Sequence, residues 1–263
     1  MSWRSGLRAR LLAGEAVLGT FVKSSDPTIS ELLAGAGYDF LIADLEHSSL
    51  ALDDVEAIAR AADLHRVPVL ARIPAHEILS AGRLLDAGVV GIQVTDVSSS
   101  DTLAAIREAT AFAPDGRRSV ALSHRAGRFG QMPLAQYLHD AAEQLVTIVQ
   151  IESRAGIAAL DQMLDAPHAP DAWFLGPFDL SNDLGHPGDE SHPDVQGAFD
   201  DVLTAVQARG ARIGVFARDV AAAQQWLARG ASLIALGSDV TMLAGAARGV
   251  LDEWRAGIPA PTV

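Results

Sequence analysis

Apolar positions along the chain alternate between two periods. Short, nearly continuous hydrophobic runs are followed by longer Ala- and Leu-rich stretches in which apolar residues recur at helical spacing. The short runs predict strands over Val17 to Val22, Asp39 to Asp44, Pro68 to Ile73, Val90 to Val94, Val146 to Ile151, Ala172 to Gly176, Arg212 to Phe216 and Ser232 to Leu236. The longer stretches predict helices, among them Ala51 to Leu64, Glu77 to Ala87, Ser100 to Thr110, Ser153 to Leu164, Val220 to Ala228 and Val240 to Trp254. Gly37, Gly88, Gly210 and Gly230 each stand just past a helical stretch, where a helix ends and feeds the next strand.

Strands that are apolar throughout belong in a parallel sheet covered on its outside, and eight βα repeats close into a barrel more naturally than they form an open sheet. The expected fold is therefore α/β, a single (β/α)8 TIM barrel forming one domain over residues 1–263. Such barrels take about 250 residues, so the length suffices. The Arg-rich segment Met1 to Glu15 lacks the apolar core of a secretory signal and reads as an opening helix. One stretch is irregular. Phe112 to Gln144, with Pro114-Asp115-Gly116, Arg117-Arg118 and Arg125 to Gly130, reads as a lid or a subunit contact.

Composition narrows the function classes. With 49% apolar and 20% charged residues the chain has ample core material, and disorder is excluded. Charged residues or glycine interrupt every hydrophobic run well before the roughly 20 residues that span a bilayer, so a soluble protein is expected. Cysteine is absent, which removes disulfides, thiolate metal sites and a cysteine nucleophile, and makes a reducing cytoplasm the expected compartment. A net charge of −13 argues against nucleic acid or an anionic membrane as partner and leaves small molecules.

In a barrel of this kind the active site forms at the carboxyl ends of the strands, so polar residues that terminate apolar runs carry the candidate chemistry. These are Asp44-Leu45-Glu46-His47 after the second strand, Arg72 in the third, Gln93 and Thr95 in the fourth, Gln150 and Glu152 in the fifth, and Gly176-Pro177-Phe178-Asp179 after the sixth. Glu152 and Asp179, with Gln150 beside them, suit a hard divalent cation. Either acid alone would also serve as a helix cap or first-turn acid. His47 is suited to proton transfer near neutral pH, or is a polar residue at a loop start. Arg72 ends an apolar strand and needs an anion, which is either a substrate oxygen or a structural carboxylate, Asp44 or Glu46. The turn at Gly176 offers backbone N–H groups to a carboxylate. His65, His76, His139, His168, His186 and His192 show no partner spacing and read as surface or capping residues.

These residues stand in longer blocks: Gly35 to His47, Pro68 to Arg72, Leu84 to Gly88, Val149 to Ser153, Phe174 to Ser181 and His192 to Gln196. Over nearly the whole chain the blocks resemble the HpcH/HpaI aldolase family of class II pyruvate aldolases. The resemblance implies reversible cleavage of 4-hydroxy-2-oxo acids to pyruvate, or a close 2-oxo acid such as hydroxypyruvate, and an aldehyde. It implies Mg²⁺, Mn²⁺ or Co²⁺ held by Glu152 and Asp179 with Gln150 beside them, Arg72 on the keto oxygen, and His47 moving the proton next to Asp44. It also implies that Asp86 pairs with the histidine at a subunit contact, that Gly176 and Pro177, with Phe178 following, hold the substrate carboxylate, and that the assembly is a homohexamer. Phe21 and Phe216, at the ends of the first and seventh strands, either wall the aldehyde pocket or simply pack in the core.

The chain departs from the family pattern at Gln93-Val94-Thr95-Asp96, where members often have proline, and at Arg118-Ser119-Val120-Ala121, near His124, where many read Arg-Gly-Val-Gly. A lyase acting on an acyl-CoA thioester, like citrate or malyl-CoA lyases, is the alternative enzymatic reading, with the short chain counting against it. A barrel kept as a binding protein is the non-enzymatic one. Lys23 is the sole lysine, so an imine-forming aldolase would have to use it; the neighbouring Asp26 favours its unreactive ammonium form.

Overall fold

The computed structural model describes residues 3–257. The alternation seen in the sequence becomes eight strands, β1 (Val17–Val22), β2 (Phe40–Asp44), β3 (Val69–Pro74), β4 (Gly91–Thr95), β5 (Val146–Ile151), β6 (Ala172–Leu175), β7 (Ile213–Ala217) and β8 (Leu233–Ser238). Between and around them run α1 (Trp3–Ala13), α2 (Pro27–Ala36), α3 (Leu52–Asp63), α4 (Ala81–Ala87), α5 (Ser100–Thr110), α6 (Leu134–Gln144), α7 (Arg154–Leu164), α8 (Pro177–Asp183), α9 (Pro193–Ala208), α10 (Val220–Ala228) and α11 (Asp239–Ala256). Every strand pairs in parallel with its sequence neighbours, and β8 returns to β1, closing the barrel.

The strands are apolar on both faces because each face is covered. Phe21, Phe40, Ile42, Leu70, Ile148, Phe174 and Leu233 fill the interior, and Leu7 and Leu11 of α1 join them. Outward residues such as Leu41, Val69, Ile92, Val149, Trp173 and Val215 pack under the helices. The interior tolerates Phe40 because residue 19 is glycine: a Cβ there would stand 2.3 Å from the phenyl ring. Helices begin on side-chain caps from Asp26, Ser99, Ser153, Asp219 and Ser238. At Gly37 and Gly88 the backbone turns left-handed, as the helix-ending reading expected.

Two regions depart from the simple repeat. Residues 112–133 leave α5 at the amino end of the barrel, because helices run antiparallel to the strands they follow. Arg118 there donates to Asp86 of α4 at 2.6 Å and to the Tyr137 hydroxyl at 3.0 Å, and Arg125 pairs with Asp63 at the end of α3. The lid expectation is thereby corrected: this segment lies on the side opposite the chain's own barrel mouth. α11 leaves the barrel after its first turn, with Leu243 (66%), Val250 (66%) and Trp254 (70%) exposed. No helix among the described residues is long and apolar enough to cross a membrane.

Candidate active site at the barrel mouth

The strand register sets the site. Asp44 of β2 pairs with Arg72 of β3, and Arg72 with Gln93 of β4, so three polar side chains end adjacent strands at one level. Asp44 is fully buried and receives Arg72 Nε at 2.9 Å and Nη2 at 2.7 Å. Its Oδ1 also accepts the backbone N–H groups of Glu46 (3.2 Å) and His47 (3.1 Å), which shapes the loop that carries the histidine. Burial alone would raise this carboxyl, but Arg72, the His47 backbone and Lys23 outweigh it and hold Asp44 below the usual carboxylate range. Arg72 meets Glu46 at 3.5 Å and stacks 4.4 Å above the Phe21 ring. The structural salt bridge is therefore formed with both acids, and Arg72 still lines the cavity at the mouth.

A second chain of polar contacts runs along β4 and β5. Gln93 donates to Gln150 at 2.7 Å, and Gln150 donates in turn to Glu152. The other Glu152 oxygen accepts the backbone N–H of Asp96 at 2.7 Å. Burial, followed by the charges of Asp179 and Glu46, pushes Glu152 up to about 7 despite these hydrogen bonds. Asp179 is the first-turn acid of α8. A Cβ on Gly176 would meet Glu152 Oε2 at 2.6 Å and Gln150 Nε2 at 2.7 Å, so only glycine lets this turn approach the acid. A carboxyl raised by burial and then by a neighbouring acid, with a neutral amide beside it, is a donor set that fits a hard divalent cation.

The cavity at the mouth measures about 260 Å³. Of the residues singled out in the sequence, Phe21, His47, Arg72, Gln150, Gly176, Pro177, Phe178, Asp179 and Phe216 line it. Glu152 bonds Gln150 from behind, and Asp44 supports Arg72 from below. Phe216 stands 6.0 Å from Phe21 and 5.9 Å from Phe178, forming an aromatic wall, so the two outer strand-end phenylalanines face the cavity as well as pack. Asp86 does not reach the mouth of its own chain; it meets Arg118, and His124 Nε2 at 3.3 Å.

The sequence model of the HpcH/HpaI aldolase/citrate lyase family matches residues 18–246. The chain belongs to this family. A hydroxypyruvate/pyruvate aldolase of Roseovarius nubinhibens is 37% identical over 250 residues, covering 94% of this chain and 96% of that protein. A 5-keto-4-deoxy-D-glucarate aldolase of Shigella dysenteriae is 33% identical over 252 residues, again covering 94% and 96%. Among solved structures, an HpcH/HpaI aldolase/citrate lyase family protein from Burkholderia cenocepacia matches with a TM-score of 0.89 and 36% identity over 95% of this chain and 99% of that one.

Three features of this HpcH/HpaI chain escaped the reading of its sequence. Ser238 lines the cavity beside Lys23, whose place just after the first strand already allowed it to face the mouth, and Asp239, buried at the start of α11, accepts the backbone N–H groups of Lys23 and Ser24 at 3.0 and 2.8 Å. The rule applied to other strands, that polar residues ending an apolar run face the mouth, would have found Ser238-Asp239 after β8. Asp26 caps α2 and does not pair with Lys23; Asp44 does. His186 and His192 do have a partner, Asp194, at 3.2 and 3.8 Å. Their rings stack almost parallel at 3.4 Å, which keeps their in-plane lone pairs from converging, and His192 caps α9 as expected of a capping residue.

Proposed function

We propose that this chain is a divalent-metal-dependent class II aldolase that reversibly cleaves 4-hydroxy-2-oxo acids to pyruvate, or hydroxypyruvate, and an aldehyde. The observation that carries this reading is Glu152, a buried acid hydrogen-bonded to Gln150 and pushed up to about 7 by burial and by Asp179, next to a cavity that Gln150, Asp179, Arg72 and His47 line. Glu152 and Asp179 would hold Mg²⁺, Mn²⁺ or Co²⁺. Such a cation, when bound, supplies Lewis-acid stabilisation to the enolate that forms beside the ketone.

The chain's own residues then divide the remaining work. Arg72, held in plane by Asp44, presents a guanidinium to the keto oxygen and stabilises charge there as the C3–C4 bond breaks. His47 takes the proton from the 4-hydroxyl oxygen while the electron pair of the broken bond moves into the enolate; protonation at C3 gives the 2-oxo acid. The Gly176-Pro177 turn, whose Gly176 N–H already donates to the Ile151 carbonyl oxygen at 3.2 Å, presents the backbone N–H groups of Phe178 and Asp179 to the substrate carboxylate, and Gln150 orients Glu152. Phe21, Phe178 and Phe216 wall the aldehyde side.

A homo-oligomer, a hexamer by resemblance, belongs to the same reading. Its support is the exposed apolar face of α11 and the position of Asp86, which meets a His47 only if a second copy brings one to it. One barrel domain over residues 1–263, small-molecule partners and a cytoplasmic location complete it. The test is exchange of pyruvate methyl protons in deuterated water. Exchange that depends on added Mn²⁺ and is lost reversibly with a chelator is the expected result; exchange indifferent to chelation, or none at all, overturns the function.

A further inference from the structure

The proposed cleavage leaves Lys23 without a task, although the structure places it with care. The Asp239 carboxylate holds the backbone of Lys23 and Ser24 at the end of β1. The Lys23 Nζ stands 3.1 Å from Asp44 Oδ2 and donates to the His47 carbonyl oxygen at 3.3 Å. The side chain is about a quarter exposed (26%) and lines the cavity. An ammonium carries three donors, and no third protein acceptor meets Lys23 among the described residues. The pair with the fully buried Asp44 carboxylate anchors the Lys23 side chain against the cavity wall, a placement that suits binding of an anion.

Its place around the barrel says which part of a substrate it meets. In a closed ring of eight strands β1 stands opposite β5. A 2-oxo acid held at Glu152 and Asp179, beyond β5 and β6, extends its aldehyde half across the mouth toward β7, β8 and β1. Phe216, Ser238, Phe21 and Lys23 line that part of the cavity, so these are the residues the aldehyde half would meet. The charges nearby are unequal. Asp44 stands between two cations, and Arg72 has Glu46 as a second partner, whereas Lys23 has Asp44 alone. The other cation at the rim, Arg218, is more than half exposed, faces Glu190 at 3.8 Å and does not line the cavity.

We propose that Lys23 is a specificity residue that binds a carboxylate on the aldehyde fragment, so that the preferred acceptor is a short oxo acid and not a neutral aldehyde. This rests on the aldolase reading above. An aromatic wall along the carbon chain, with an ammonium at its end that shares its one side-chain carboxylate partner with Arg72 and keeps a donor free, is complementary to such a molecule.

The test compares acceptors of equal shape and unequal charge with pyruvate as donor: glyoxylate against 2-methylpropanal, and 4-oxobutanoate against 4-methylpentanal. In the pair turned over faster by the wild type, Lys23→Met should lower the ratio of kcat/KM for the acid to that for its neutral isostere by about 10- to 100-fold, mainly through KM. Lys23→Arg should restore most of the ratio, which is independent of the fraction of folded enzyme. An unchanged ratio in Lys23→Met overturns the assignment, as does an equal loss for both aldehydes. Wild-type enzyme that fails to exchange pyruvate methyl protons overturns the aldolase reading and this proposal with it; intact exchange with an unchanged ratio overturns the role of Lys23 alone.

Discussion

Asp44 and Arg72 are register partners on β2 and β3, and they meet through two near-parallel hydrogen bonds of 2.9 and 2.7 Å with the carboxylate wholly out of solvent. The guanidinium is thereby fixed in plane before any ligand arrives. Its geometry, beyond its charge, is what a substrate oxygen would meet. Arg72→Lys keeps the charge and loses the fork, and kcat/KM for aldol cleavage should fall at least about 100-fold. An Arg72→Lys enzyme within a few-fold of wild type in steady-state kinetics would make the arginine purely structural.

Removal of either acid beyond β5 and β6 should abolish turnover. Glu152→Ala and Asp179→Ala are expected to lose Mn²⁺ binding in calorimetric titration while keeping far-UV circular dichroism, since barrel stability rests in the packed layers away from the carboxyl ends. Both variants binding metal and turning over substrate would remove these residues from the site.

The raised carboxyl of Glu152 has two consequences for pH. Between about 4.5 and 7 the folded, metal-free protein holds a proton that the unfolded chain has released. Its stability therefore falls as pH rises through that window and stays reduced above it. Glu152→Gln mimics the protonated form and should stabilise the metal-free protein at pH 8, by at most about 3 kcal/mol, with little effect at pH 5. A cation must displace the same proton, so Mn²⁺ affinity of the wild type should weaken below pH 7. Thermal melts at both pH values check the first outcome; a Glu152→Gln protein no more stable than wild type at pH 8 contradicts it.

His47 lines the cavity with a half-exposed side chain, 3.9 Å from Glu46. His47→Ala should lower aldol cleavage by about 100-fold or more, the scale of general acid–base catalysis, while Mn²⁺ affinity changes much less. Equal loss of metal binding would reassign the imidazole to coordination.

The barrel was legible because its signal is local and repeated. Apolar strands, Ala- and Leu-rich helices and helix-ending glycines recur often enough that an error of a residue or two at one boundary, as at Asp39 or Arg212, leaves the count of eight intact. The candidate site was legible for the same reason. A parallel barrel brings all carboxyl strand ends to one face, so polar residues ending apolar runs are neighbours before any contact is known. Asp44, Arg72, Gln150, Glu152 and Asp179 were found this way.

Partner choice was not written in that pattern. Whether Arg72 faces Asp44, Glu46 or a ligand depends on register, which sets Asp44 directly beside it and Glu46 within 3.5 Å. Asp26 is the acid nearest Lys23 in the sequence, yet Asp26 caps a helix and Asp44, from the next strand, takes the ammonium. The stretch Phe112 to Gln144 read as a lid or a subunit contact, and helix direction sends residues 112–133 to the end opposite the chain's own mouth. Local sequence determined which elements form and which residues reach the catalytic face, because those follow from periodicities of two and 3.6 residues. Only closure of the barrel decided which charges meet, how far Glu152 is desolvated and which end the long loop covers, because these depend on strand register, helix direction and burial that residues far apart in sequence create together.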